Sequence, residues 1–145
     1  MPSTWRVLYD TLLDGLAAAE ADARPDPDRF TLREMLAHVA EWEAIFLQRM
    51  ERIRAETMPT LPDLDEGQLA IENRYDTLDP AAQQQLFAGR RARTVTFLQS
   101  LTPDEWRREG LRPEIGSVSV ADIAILMALH DNYHLEQIAR FRAVA

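Results

Sequence analysis

Cysteine and lysine are both missing from this 145-residue chain. Without cysteine there is no disulfide, no thiolate nucleophile and no sulfur-ligated zinc. Without lysine there is no Schiff base and no lysine base; all 16 basic residues are arginine. Any metal must therefore be held by histidine, aspartate or glutamate, with water. Positive charge is also scarce, since 24 acidic residues leave a formal net charge of -8. Affinity for DNA or RNA rests on clustered basic residues that neutralise phosphate, and anionic membranes select the same feature, so both are disfavoured. The longest apolar run, Ile123 to Leu129, is far short of the roughly 20 residues that cross a bilayer. Met1 to Asp10 is polar and aromatic rather than basic and then apolar, unlike a secretory signal. The expectation is a soluble cytoplasmic protein with no nucleic-acid and no membrane partner.

What is present reads as helices. Thr4 to Ala23 carries a stripe of Trp5, Leu8, Leu12, Leu16 and Ala19, interrupted by Gly15 and ended by Arg24-Pro25-Asp26-Pro27. Thr31-Leu32-Arg33-Glu34 is a capping box that opens a second helix, predicted to reach Thr57. Its seam is Leu32, Met35, Val39, Trp42, Phe46, Met50 and Ile53, with His38 on the shoulder. Pro59 and Pro62 then break the pattern until Asp79-Pro80 starts a third helix, predicted to end at Leu101. The roughly twenty residues between are too many for a tight turn. Leu69, Ile71, Tyr75 and Leu78 suggest a short surface helix there, on a crossover that makes the second and third helices parallel. Thr102 to Glu105 begins a short turn anchored by Trp106, Gly110 to Val118 reads as a loop, and no segment alternates like a strand. The fold class is all-α, a four-helix bundle.

The last helix, Ser119 to Ala143, carries the chemistry. Ile123, Met127, His130, His134, Ile138 and Phe141 recur at three- and four-residue steps, so His130 and His134 stack on the apolar face. A buried imidazole needs a hydrogen-bond partner, a charge or a metal. The one other histidine, His38, lies about 7 residues into the second helix, and the His130/His134 midpoint about 11 from the end of the last. These depths, roughly 11 and 16 Å, bring the three together if the two helices are antiparallel. Three imidazoles leave positions on a metal open, as in catalytic rather than closed structural sites. The bland alternative is three core histidines bonded to carboxylates. Other bundle chemistries fit worse: a di-iron centre wants two Glu-x-x-His motifs, haem wants two-sided axial ligation, and His130-Asp131-Asn132-Tyr133-His134 has Asp where zinc proteases have Glu.

The run Thr31 to Glu43 (TLREMLAHVAEWE) resembles the second-helix signature of the DinB/YfiT-like superfamily. Gly116 to Ile123, His130-x-x-x-His134 and Gln137-Ile138 resemble its last-helix signature. The likeness covers residues 1–145 as a single domain. It implies an up-down-down-up bundle, homodimers, and a divalent metal on His38, His130 and His134, Ni or Zn first and Fe or Mn after. Relatives of this kind include thiol-dependent S-transferases, maleylpyruvate isomerases using a cellular thiol, and hydrolases.

Three functions follow. The first is transfer of a small cellular thiol, activated by the metal, to a small electrophile. It expects a groove with carboxylate-binding arginine, for which Arg90, Arg91 and Arg93 are candidates, although a solvated face pairing with carboxylates is the more ordinary role of such a cluster. The second is a hydrolase with a general base such as Glu34, Glu41 or Asp131. The third is a non-enzymatic stress-response bundle with a structural or vestigial metal. Tyr75 and Phe87, left over from the seams, are the expected dimer contacts.

Overall fold

The computed structural model describes residues 4–14 and 18–144. The helices are α1 (Thr4–Leu13), α2 (Leu32–Ala55), α3 (Glu66–Glu72), α4 (Pro80–Gln99), α5 (Pro103–Arg107) and α6 (Val120–Val144). Strands β1 (Glu109–Arg112) and β2 (Gly116–Ser119) form a hairpin before α6. Gly15 and Leu16 lie outside the described residues, and Ala18–Asp22 is a 3-10 turn rather than the α-helix predicted to Ala23. The tighter turn ends the element just before Pro25, which cannot continue a helix. Of the predicted first stripe only the Leu8 side chain is described, and it is half exposed.

The helix starts follow their capping residues. The Thr31 hydroxyl accepts from the Glu34 amide, and the Glu34 carboxylate accepts from the Thr31 amide at 2.8 Å. Asp79 caps α4 with Pro80 in the first turn. Ser119 and Asp122 exchange the same reciprocal bonds at the start of α6.

Contacts along the helices give their directions. Arg33 reaches the Leu78 carbonyl, Arg90 the Ala40 carbonyl, and Arg54 the Ser100 hydroxyl, so α2 and α4 run parallel. One apolar block joins Leu32, Met35 and Leu36 to Phe87, Ile138 and Phe141. A second joins Met50 and Ile53 to Val120, Ile123 and Met127. These pairings make α2 and α6 antiparallel. Arg142 donates to the Asp14 carbonyl, which puts the end of α1 beside the end of α6. The order is up-down-down-up, with the crossover between α2 and α4.

Two expectations are corrected. The predicted loop is an antiparallel hairpin, with Glu109 opposite Ser119 and Arg112 opposite Gly116. Gly116 turns it at φ +93, a conformation glycine adopts without strain. The four-residue strands are too short to show alternation, and their anchors are distant: Leu111 exchanges backbone bonds with Pro59 and Leu61, and Arg112 holds Asp63 at 2.8 Å. Tyr75 and Phe87, expected at an interface, are only 1% and 0% exposed because the crossover and α4 fold them inward. The exposed apolar residues include Ile125 and Leu129 on α6.

Gly110 and Gly89 test this packing in opposite directions. A Cβ on Gly110 would stand 3.0 Å from Ile53 Cγ1 and 3.1 Å from both Leu61 Cδ1 and the Pro59 carbonyl. Gly110→Ala is expected to cost about 1–3 kcal/mol in urea unfolding. Gly89→Ala, on α4 with nothing within 4 Å of the new carbon, is expected to add about 0.5–1 kcal/mol.

Candidate metal centre

Between the two apolar blocks lies a polar layer. On α4 it is marked by Arg91, on α2 by Glu43, and on α6 by Asp131. Arg91 bonds both oxygens of each carboxylate, at 2.8 and 2.9 Å to Glu43 and at 2.7 and 2.9 Å to Asp131. Both carboxylates are buried. Burial works against the Arg91 charge, but the bonds to Asp131 and Glu43 hold its pKa above the usual arginine value. Burial also pushes the Asp131 carboxyl up, against the pull of Arg91.

Beside this ion network the three histidines meet. His38 Nε2 and His134 Nε2 each lie 3.0 Å from His130 Nε2, and all three nitrogens fall within 4.8 Å of one another. His38 and His134 are buried, and His130 is partly so. Gln137 fixes one tautomer: its amide N–H faces the Tyr133 hydroxyl and its carbonyl oxygen faces His134 Nδ1 at 2.7 Å. His134 Nδ1 therefore carries the hydrogen, and Nε2 presents a lone pair to the cluster. Desolvation lowers all three pKa values. It acts with the neighbouring histidines on His38, to about 2, and with His134 and Arg91 on His130, to about 3; His134 falls to about 4. At neutral pH the three rings are uncharged.

Neutral rings in this arrangement do not satisfy one another. If His38 donates to His130 Nε2, then His130 and His134 face each other lone pair to lone pair at 3.0 Å. If His130 donates to His134 instead, its Nε2 has no lone pair left for His38. One cation accepting three lone pairs removes the conflict. Nitrogens 2.0–2.1 Å from a shared ion stand roughly 3–3.4 Å apart, close to the observed spacing. The residues present fit a divalent metal.

The carboxylates considered from the sequence are each engaged by other groups. Glu34 is held by the Thr31 amide and Arg24. Glu41 accepts from the Asn73 amide and, in a short contact, from the Tyr75 hydroxyl. Asp131 belongs to Arg91. Arg90 is tied to the Ala40 carbonyl and Arg93 lies in a separate groove with Arg54. None of the three arginines lines the cleft over the histidines. That cleft, about 1070 Å³, is bounded by Phe30, Arg29, Glu66, Ile71, Arg74 and Tyr133 among others. Glu66, with Oε2 at 3.8 Å from His38 Nε2, was not singled out in the sequence, where nothing links the crossover to the histidines. Gln137 was legible in principle, three residues after His134 on one helix face.

The profile of the DinB superfamily matches residues 4–138. A protein of Oceanobacillus iheyensis named "Putative metal-dependent hydrolase" is 26% identical over 108 residues, which are 74% of this chain and 61% of that protein. YfiT from Bacillus subtilis, described as "a probable metal-dependent hydrolase with an unusual four-helix bundle topology", superposes with a TM-score of 0.87 at 17% identity. The superposition covers 94% of this chain and 79% of YfiT. A mycothiol-dependent maleylpyruvate isomerase superposes with a TM-score of 0.76 at 19% identity, over 92% of this chain and 56% of the isomerase.

Two outcomes are expected. Arg91→Met leaves Glu43 and Asp131 buried without a counterion and should cost about 3–5 kcal/mol in chemical denaturation. The metal-free protein should lose stability as pH falls below about 6.5. The unfolded histidines take up protons there, while the folded ones, with depressed pKa values, do not. The limiting slope is about 1.4 kcal/mol per pH unit for each such histidine. Denaturation midpoints across pH 4–8 check it. Below pH 6.5, proton competition for metal within the folded site is correspondingly weaker than the ordinary histidine pKa suggests.

Proposed function

The chain belongs to the DinB superfamily, and from that premise we propose a metal-dependent enzyme in which His38, His130 and His134 hold one divalent ion at the floor of the cleft. The observation that carries it is the lone-pair conflict among three converging Nε2 atoms, which a cation resolves. Imidazole donors suit zinc, nickel or iron, and manganese is the remaining candidate. A bound ion supplies Lewis acidity, lowering the pKa of a thiol or water held beside it.

The finer reading is transfer of a small cellular thiol to a small electrophile. A chain without cysteine must take its thiolate from a cosubstrate, and the cleft has room for two small molecules. The mycothiol dependence in the name of the isomerase that shares the fold points the same way. In this reading Gln137 keeps the His134 lone pair aimed inward. Phe30 and Trp42 flank His38, with ring centroids 5.3 and 5.9 Å away, and shield it from water. At the rim Arg29 stacks over Tyr133. Three cleft arginines (Arg24, Arg29, Arg74) are outnumbered by Asp26, Asp28, Glu34, Glu66 and Asp76, so the site favours reactants without a large negative charge.

Hydrolysis is the second reading, favoured by a carboxylate at the mouth, Glu66, and by the hydrolase names of the Oceanobacillus protein and YfiT.

Thiol-loss assays on zinc- and nickel-loaded protein, with activated esters run in parallel, separate the two. Thiol transfer is expected to require metal and thiol together, and to fall at least 100-fold in His134→Ala. Ester turnover without thiol, lost in the same variant, would replace transfer with hydrolysis. Failure of both in metal-loaded protein would leave a non-enzymatic bundle.

A further inference from the structure

One carboxylate in the cleft is left out of the hydrogen-bond network. Glu66 opens α3 on the crossover, its side chain is 66% exposed, and it makes no hydrogen bond to a described residue. It leans toward the histidines, with Oε2 at 3.8 Å from His38 Nε2. At that distance the two atoms are too far apart for a hydrogen bond. The placement is nonetheless held firmly. Asp65 caps α3 through the Gln68 amide at 2.8 Å. The far end of the segment is strapped to α2 by Asn73 and Tyr75, which both donate to Glu41. Glu41 is one turn beyond His38 on the same helix, so the strap fixes the crossover over His38 itself.

We propose that Glu66 is a fourth protein ligand of the metal, a carboxylate closing the cleft side of the three-histidine set. The proposal rests on the metal-centre reading above. A shared cation would account for an anionic oxygen that leans toward the histidines and makes no hydrogen bond of its own. Ligands on one ion stand about 3–3.4 Å apart, and Glu66 Oε2 stands 3.8 Å from His38 Nε2, so the carboxylate would have to turn inward to join the set. As the exposed member of the set, Glu66 would be the ligand free to give way to an incoming thiolate, while the three histidines would keep the ion.

The test uses the full chain, comparing the natural sequence with Glu66→Gln, Glu66→Asp and, as a control on the same helix, Glu72→Gln. Zinc affinity is measured by competition with a chromophoric chelator at low salt and at 0.5 M NaCl, and coordination by the visible spectrum of the cobalt(II)-loaded protein. Glu66→Gln is expected to weaken zinc binding about 10- to 100-fold at both salt concentrations and to shift the cobalt bands. Glu66→Asp should fall between, and the control should match the natural protein. Unchanged zinc affinity, or an unchanged cobalt spectrum with a loss that high salt abolishes, would overturn the proposal by reducing Glu66 to a nearby charge. If the natural protein binds neither metal, the histidine centre itself is wrong, a result distinct from failure of Glu66 alone.

Discussion

The Arg91 guanidinium is the constraint on which the arrangement turns. It is a cation in the middle of α4, and its two forks are filled by one carboxylate from α2 and one from α6. One planar group thereby fixes the relative heights of three helices. Leaving any of these charges unpaired in the core costs several kcal/mol, so registers that break the network are excluded. The histidines inherit that register. His130 precedes Asp131, and His38 lies a little over one turn before Glu43. A slip of one turn, about 5.4 Å, would carry His38 out of reach of His130 Nε2, now 3.0 Å away. The apolar blocks above and below supply cohesion, but Leu, Ile and Met tolerate sliding better than a bidentate ion pair does.

Topology couples to the site through the crossover. Because α2 and α4 are parallel, the chain leaving α2 must travel back along the bundle before α4 can start. A 20-residue helix is about 30 Å long, so the return segment spans the molecule. Its first part pairs with the hairpin through Pro59, Leu61 and Leu111. Its later part lies over α2 and brings Glu66, Ile71 and Arg74 to the cleft. Tight turns would have left the histidines facing open solvent. The cleft wall is a consequence of the helix order.

Much of this was legible in the sequence, and the limits have a physical origin. Helical period places Met35, Met50, Ile53, Ile123 and Ile138 inside, and all are buried. The capping boxes at Thr31 and Ser119 mark true helix starts because each is a local exchange of bonds over three residues. The meeting of His38 with His130 and His134 follows from depth along antiparallel helices. Interactions across long separations left no such trace. Arg91 looks like one of a surface trio until α2 and α6 supply its partners 48 and 40 residues away. The hairpin depends on Asp63 and Pro59 rather than on its own short strands. Tyr75 is buried on the crossover, where Glu41 receives its hydroxyl. Periodicity identifies a face; it cannot say what will cover it.

The polar layer holds one cation permanently, and its chemistry makes room for a second that is not a proton. Burial first, then His134 and the fixed charge of Arg91, keep His130 unprotonated at any ordinary pH. His38 is held neutral by burial and by its two neighbouring histidines. A proton finds the cluster costly because it brings a full charge while leaving at least one nitrogen pair in conflict. A divalent ion also brings charge, but it accepts three lone pairs at once, and coordination offsets the desolvation that excludes the proton. The features that leave the three nitrogens in conflict therefore favour a metal over a proton. They also link occupancy to folding, since an ion bound by the native cluster and not by the separated histidines stabilises the fold in proportion to RT ln(1 + [L]/Kd).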